Sequence, residues 1–150
     1  MTFQAHDPDF AGRVRESFAR QQFMQTLGAE LAVVEPGMVQ IELPYQLGLT
    51  QQHGFVHAGV IASVLDSACG YAAFSLMPAD AAVLSIEFKI NMLAPARGER
   101  LIARAEVKRA GRTVTVCAAD AHTIEGSESK LVATMIGTMM CLRGRSDLVG

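Results

Sequence analysis

The feature that most constrains this chain is a long apolar segment, residues 57–77, in which Asp66 is the only formally charged side chain. A helix that is apolar on most sides is normally a core helix, so this segment predicts a central helix closed by Pro78. Burying an ionised carboxylate without a partner is costly. A carboxylate in such a segment is therefore a candidate for chemistry.

A polar loop that contains glycine precedes this helix and reads Gln51-Gln52-His53-Gly54-Phe55-Val56-His57-Ala58-Gly59. Backbone N–H groups at a helix start are unsatisfied and lie at the positive end of the helix dipole. The amide of Ala58, with that of Gly59 as a second candidate, can therefore donate to an oxygen that gains negative charge. Asp66 lies eight residues further, about 12 Å along the helix, which is too far for both groups to reach one carbonyl carbon. We therefore expect a site that combines two chains, and dimerisation as a condition of activity.

The composition predicts one globular domain, residues 1–150, with a large core. Half of the residues are hydrophobic, and no uninterrupted apolar run has the length of a membrane span. The first nine residues show no signal-peptide pattern, and the three cysteines lie at unrelated spacings in apolar contexts, which predicts reduced cysteines and a cytoplasmic location. These cysteines are Cys69, Cys117 and Cys141.

Charge and motif spacing argue against several function classes. The net charge is −2 and there is no basic block, so no nucleic acid partner and no membrane surface are expected. His53, His57 and Asp66 have no HxH or HExxH spacing, so no metal is expected. The arginines at one turn, Arg109 and Arg112, are candidates for holding phosphate groups, although a turn rich in arginine is solvated by default.

The pattern along the chain predicts an α+β fold in which an antiparallel sheet surrounds the central helix. Residues 9–27 read as one amphipathic helix, with Phe23 on the apolar side, Arg13 on the polar side and Gly28 as the stop. Strands are predicted at residues 29–35, 38–43, 82–94, 99–109, 112–124 and 130–142, separated by turn signals.

The loop and the acid together carry a family resemblance. Gln51 is followed by Gly54 and then His57, and Asp66 lies nine residues after that histidine. This pattern resembles the signature of the hotdog-fold acyl-CoA thioesterases, in the branch typified by phenylacetyl-CoA thioesterases (PaaI-type). The segment 85–96, SIEFKINMLAPA, is similar to the family's strand after the central helix. Ala58 departs from the family's His-Gly-Gly, although alanine keeps the backbone N–H.

The resemblance implies a hotdog fold, with a long central helix, a curved antiparallel sheet and here an N-terminal helix, and it implies hydrolysis of an acyl-CoA thioester. Asp66 would act as nucleophile or general base, and the amide of Ala58 or Gly59 would stabilise the oxyanion. Gln51 would orient water or the thioester, while His57 would fix the loop. Ser85 would supply a hydroxyl where some relatives carry Thr or Ser at position 70, here a glycine. The substrate-binding residues would be Gly54, Ser85, Arg109 and Arg112. No cofactor is implied, and the assembly would be a homo-oligomer, either a dimer or a dimer of dimers (homotetramer).

Plainer interpretations remain open at this point. Asp66 can be a structural carboxylate that is hydrogen-bonded across a dimer, and His57 can be a helix cap. Gln51 can be a solvated loop glutamine, and Ser85 an ordinary strand serine. A hotdog hydratase acting on an enoyl or hydroxyacyl thioester, and a non-catalytic acyl-CoA binder, are the two alternative functions.

Overall fold

A six-stranded antiparallel sheet packs around one central helix in the computed structural model, which describes residues 2–148 and Gly150. The helices are α1 (Phe10–Arg20), α2 (Gln22–Leu27) and the central α3 (Ala58–Phe74), with a 3-10 turn at Leu47–Leu49. The strands are β1 (Glu30–Glu35), β2 (Met38–Pro44), β3 (Ala81–Met92), β4 (Arg100–Ala110), β5 (Val114–Glu125) and β6 (Glu128–Arg143). Their order in the sheet is β1-β2-β4-β5-β6-β3, so β3 lies at one edge. The expected α+β arrangement and all six strands are confirmed.

The sheet encloses α3 through the alternation of apolar and polar residues along its strands. In β4 the side chains of Leu101, Ala103, Ala105 and Val107 are buried, while the arginine and glutamate between them are exposed. Successive strand residues point to opposite faces, so this period of two places one face against the helix. Val64 and Leu65 of α3 are fully buried, as expected for a helix that is apolar on most sides. The three cysteines are free and buried, as predicted.

The predicted single helix over residues 9–27 is wrong in one respect, because it breaks at Gln21. That residue is extended (φ −77°, ψ 97°), and α2 starts in a new direction directly after it. The stop at Gly28 is confirmed, since Gly28 adopts a left-handed conformation (φ 73°) that suits glycine. Phe23, predicted on the apolar side, is 53% exposed, since the break at Gln21 interrupts the helical periodicity on which that prediction rested.

Arg13 was predicted on the solvated side of this helix, and the structure places it against the end of α3 instead. Its guanidinium donates to the carbonyl oxygens of Phe74 (3.2 Å), Met77 (2.6 Å) and Pro78 (2.5 Å). It also lies 4.3 Å from the centre of the Phe74 ring and pairs with Asp7 at 3.1 Å. The last carbonyl groups of a helix have no partner within the helix. Arg13 supplies the donor to the Met77 carbonyl just beyond α3, adds a second donor at Phe74 and Pro78, and so joins the N-terminal helix to the central one.

None of the helices in the described part of the chain combines the length and apolar character that crossing a bilayer requires.

Replacing Arg13 should destabilise the fold more than replacing an exposed arginine of the same helix. We expect Arg13→Ala to lower the free energy of unfolding by about 2–4 kcal/mol, since the Met77 carbonyl loses its donor and Phe74 and Pro78 keep only their backbone donors. Urea denaturation followed by circular dichroism measures this value. Arg15→Ala is the matched control, because Arg15 is exposed and makes only a 3.5 Å hydrogen bond. Equal effects of the two substitutions would contradict the capping role.

Candidate active site

The loop that leads into α3 is held by its own hydrogen bonds and by one tyrosine. The amide of Gln51 donates to the carbonyl of Phe55 (2.9 Å), and the side-chain oxygen of Gln51 accepts from the amide of His53. Gly54 has φ 81°, a conformation that L side chains rarely adopt, and the Tyr45 hydroxyl donates to its carbonyl at 2.7 Å. The loop is thus a preformed turn, and the side-chain NH₂ of Gln51 has no hydrogen-bond acceptor among the residues that the structure describes.

His57 is the N-cap of α3. Its Nδ1 accepts a hydrogen bond from the amide of Gly59 at 2.9 Å, which satisfies one of the free donors of the first turn. An acceptor at Nδ1 means that the proton of the neutral ring lies on Nε2. The side chain of His57 therefore caps the helix, which is the plainer of the two roles expected for it.

This cap decides which helix amide remains free to bind a ligand. Gly59 had been a second candidate for the oxyanion donor, but its N–H is already taken by His57. The amide of Ala58 meets no acceptor among residues 2–148 and Gly150, and Ala58 is exposed. Of the two candidates, Ala58 alone offers an unoccupied donor at the positive end of the helix.

Asp66 lies in the middle of α3 and is half-buried, not sealed in the core. The hydroxyl of Ser85 donates to its Oδ1 at 2.6 Å. A β-bulge between Ser85 and Glu87 interrupts the pairing of β3 with β6, and such bulges redirect side chains. Oδ2 of Asp66 has no hydrogen bond within the described part of the chain. One carboxylate oxygen is thus held in place and the other can meet a ligand.

Asp66 borders a cleft of about 310 Å³ between α1, α3 and β3. The residues that line it are Ser17 and Gln21, then Asp66, Ser67, Gly70 and Tyr71 of α3, then residues 82–85 of β3, and finally Leu148 and Gly150. The cleft joins a carboxylate to a mixed polar and apolar cavity of the size that small-molecule sites usually have.

The candidate residues fall into three groups in one protomer. Gln51, Gly54, His57, Ala58 and Gly59 cluster at the start of α3, whereas Asp66 and Ser85 meet two turns further along it. Arg109 and Arg112 are exposed at the β4–β5 turn, outside the residues that line the cleft. No group of three or more His, Cys, Asp or Glu that could hold a metal occurs among the described residues.

Four residues beside Asp66 were missed at the level of sequence. Ser67 donates to the side-chain oxygen of Gln21 (3.2 Å), and the hydroxyls of Ser17 and Tyr71 lie 3.4 Å apart. Burial raises the pKa of the Tyr71 hydroxyl, which keeps it protonated. The spacing of Ser67 and Tyr71, four residues apart on an otherwise apolar helix, was the available signal. Nothing in the local sequence marks Gln21, because its position depends on the break between α1 and α2.

Comparison with known proteins supports the fold. The family model described as the thioesterase superfamily matches residues 53–130, from the loop through α3 into β6. The crystal structure of a thioesterase family protein from Silicibacter pomeroyi is 56% identical, with a TM-score of 0.89, covering 90% of this chain and 99% of that one. The medium/long-chain acyl-CoA thioesterase YigI of Escherichia coli K12 is 29% identical over 134 residues, covering 79% of this chain and 84% of YigI. The E. coli PaaI protein shares the fold at 20% identity, with a TM-score of 0.82 and coverage of 91% and 95%. The hotdog fold implied by the sequence is confirmed.

Removing the helix cap should cost stability, and a residue with a similar acceptor should restore it. We expect His57→Ala to lower the free energy of unfolding by about 1 kcal/mol, because the Gly59 amide loses its acceptor. His57→Asn should recover most of this loss, since asparagine is a preferred N-cap. Urea denaturation of the three proteins measures the difference. Equal stabilities for His57→Ala and the wild type would contradict the cap.

Proposed function

The chain belongs to the thioesterase superfamily and hydrolyses thioesters, and from this premise we propose that its substrate is an acyl-CoA and that Asp66 performs the reaction. The observation that carries the proposal is the Asp66 carboxylate, which lines the cleft, accepts from Ser85 on Oδ1 and has no partner for Oδ2 among the described residues. The products are the free acid and CoA.

Asp66 can serve this reaction in either of two ways. As a general base it takes a proton from a water that attacks the thioester carbonyl, and the proton finally reaches the leaving thiolate of CoA. As a nucleophile it attacks the carbonyl itself to give a mixed anhydride, which water then hydrolyses. Both routes consume one water and need Oδ2 free, while the Ser85 hydroxyl holds Oδ1 and fixes the plane of the carboxylate.

In this proposal the amide that stabilises the thioester oxyanion comes from the second subunit. The free amide of Ala58 is about 12 Å from Asp66 along the same helix, too far for one carbonyl group to meet both. A donor from a twofold-related copy removes this difficulty. In this arrangement the Ala58 N–H of one protomer binds the carbonyl oxygen while Asp66 of the other acts on its carbon.

The free edge of β3 supports such a dimer. Its exposed side chains include Leu84, Ile86, Phe88 and Met92, which are 42–52% exposed. An exposed edge strand with large apolar residues is a template for pairing with another chain. Antiparallel pairing of two β3 strands would set the Ser85 end of one against the Met92 end of the other. The start of α3 lies next to this second end, since the Val56 amide donates to the Ala96 carbonyl at 2.8 Å. The pairing therefore brings the helix start of one chain towards Asp66 of its partner.

The remaining candidates have supporting roles in the proposal. The NH₂ group of Gln51 is positioned by its turn to orient water or the thioester, and Gly54 permits that turn. Arg109 and Arg112 are exposed cations that suit the phosphates of CoA, at a distance from the reacting carbon.

The first test is loss of turnover when the carboxylate is neutralised. We expect the wild type to release free thiol from acyl-CoAs, and Asp66→Asn to lower kcat by about 10²–10⁴-fold, because an amide cannot accept a proton or attack. Thiol release measured with a chromogenic disulfide reagent gives the rate, and circular dichroism verifies the fold. Asp80→Asn is the control, since Asp80 is an exposed carboxylate paired with Arg143.

Other outcomes of this experiment would point to the alternative functions. Full activity of Asp66→Asn would overturn the assignment. Thermal stabilisation by acyl-CoA without turnover across a broad acyl panel would indicate a binder. A change in enoyl thioester absorbance without release of thiol would indicate a hydratase.

The second test addresses the shared site through a substitution that removes a single N–H. Ala58→Pro deletes the amide donor at the first position of α3, where proline is well tolerated, and His57 already has the extended conformation that precedes proline (φ −60°, ψ 137°). We expect kcat to fall by about 10²–10³-fold with stability unchanged.

Mixing the two inactive variants then distinguishes a shared site from a site within one chain. A dimer of one Asp66→Asn chain and one Ala58→Pro chain contains one intact site if each site uses both chains. Equal co-expression should therefore restore about a quarter of the wild-type activity, since half of the dimers are mixed and each has one of two sites. Activity no higher than that of the separate variants would contradict the shared site.

A further inference from the structure

The break between α1 and α2 places one polar side chain at the wall of the cleft beside Asp66. Gln21 is extended, and its side chain turns towards α3, where its oxygen accepts from the Ser67 hydroxyl at 3.2 Å. Its NH₂ group meets no acceptor among the described residues. A glutamine that ends a helix in this way leaves two donors at the cleft.

A second donor lies beside it. The hydroxyls of Ser17 and Tyr71 are 3.4 Å apart, so one of them donates to the other and the second proton stays free. Tyr71 is only 6% exposed, and its ring packs edge-on against Phe18, which fixes its direction. The side of the cleft formed by α1 and α3 is therefore rich in donors, while Ala82, Val83 and Leu84 of β3 form an apolar side.

Gly70 provides the space between these two sides. It lies four residues after Asp66, about 6 Å along the helix, and a Cβ atom built on it would meet no atom within 4 Å. Glycine is unfavourable inside a helix by about 1 kcal/mol relative to alanine, so open space above it is a cost to stability. The missing side chain lengthens the cleft from Asp66 towards Gln21.

We propose that Gln21 is a specificity-determining residue and that the preferred acyl group carries a neutral oxygen, a hydroxyl or a carbonyl, at the end far from the thioester. This inference rests on the proposed function, since it places the acyl group in the cleft beside Asp66.

Hydrogen-bond energetics supply the reason for the preference. An unsubstituted alkyl or aryl group that fills the cleft strips water from the Gln21 amide and offers it no acceptor. Leaving a desolvated donor unpaired costs about 1–3 kcal/mol. A distal oxygen restores the hydrogen bond, so a site with such a donor discriminates against the analogue that lacks the oxygen.

Matched substrate pairs test this inference. We expect the wild type to show kcat/KM at least about tenfold higher for 4-hydroxyphenylacetyl-CoA than for phenylacetyl-CoA, and for 6-hydroxyhexanoyl-CoA than for hexanoyl-CoA. Gln21→Leu should bring both ratios close to one, by lowering kcat/KM for the hydroxylated member and raising it for the plain one. A purely structural role of Gln21 would change both members equally.

The neighbouring glutamine provides the control. Gln22→Leu changes the neighbouring exposed glutamine and should keep the wild-type ratios. Ratios near one in the wild type, or ratios that survive Gln21→Leu, would overturn the inference while thiol release still supports a thioesterase. Absence of turnover with every acyl-CoA would instead overturn the proposed function.

Substitution of Gly70 tests the path of the acyl group independently of hydrogen bonding. Gly70→Leu should lower kcat/KM for 4-hydroxyphenylacetyl-CoA at least about tenfold more than for acetyl-CoA, because the side chain would occupy the space beside Asp66. Gly70→Ala should retain or increase the midpoint of thermal unfolding, which shows that the position accepts a side chain. An equal loss for both substrates with Gly70→Leu would place the acyl group elsewhere.

Discussion

The close packing of α3 against the sheet is the interaction on which the rest of the structure depends. It requires small residues on the strands that face the helix, and Ala103, Ala105, Ala119 and Ala121 are at most 2% exposed. Helix and sheet come close at Gly137 of β6, where an added Cβ would lie 3.3 Å from the sulfur of Cys69. Protein interiors are packed as densely as organic crystals, so the packing allows only one separation and one rotation of the helix relative to the sheet. This fixed packing determines which side chains of α3 face away from the sheet.

The side of α3 that the sheet does not cover carries the polar residues, and the N-terminal helices close part of it. Asp66, Ser67, Gly70 and Tyr71 face the cleft, while Arg13 ties α1 to the end of α3 through three carbonyl groups. The same helix therefore supplies both the core and the candidate site. The carboxylate tolerates its place in an apolar helix because it stays half-exposed and accepts a hydrogen bond from Ser85.

The position of β3 is the basis for the proposed pairing of two chains. The strand contributes Ser85 to the acid, yet its other edge and several of its apolar side chains remain uncovered. The start of α3, where Ala58 has a free amide, lies beside the end of the same strand. Asp66 and the Ala58 amide, the proposed acid and the proposed oxyanion donor, are separated along one helix, so each forms half of a proposed site. The uncovered strand lies between them, which is why we propose that pairing of two chains completes both.

Local patterns in the sequence were sufficient for the strands and for α3. A period of two identified the strands, the continuous apolar run identified α3, and the lone charge within that run made Asp66 the candidate acid, because these signals depend only on neighbouring residues. Long-range contacts decided the rest. Arg13 does not extend into solvent, because it donates to carbonyl groups near the end of α3. Ser67 donates to Gln21, which lies where the N-terminal helix breaks. The capture of the Gly59 amide by His57 left Ala58 as the free donor. Such choices depend on hydrogen-bond partners that are distant in sequence or on the exact geometry of a turn, and only the folded chain brings them within reach.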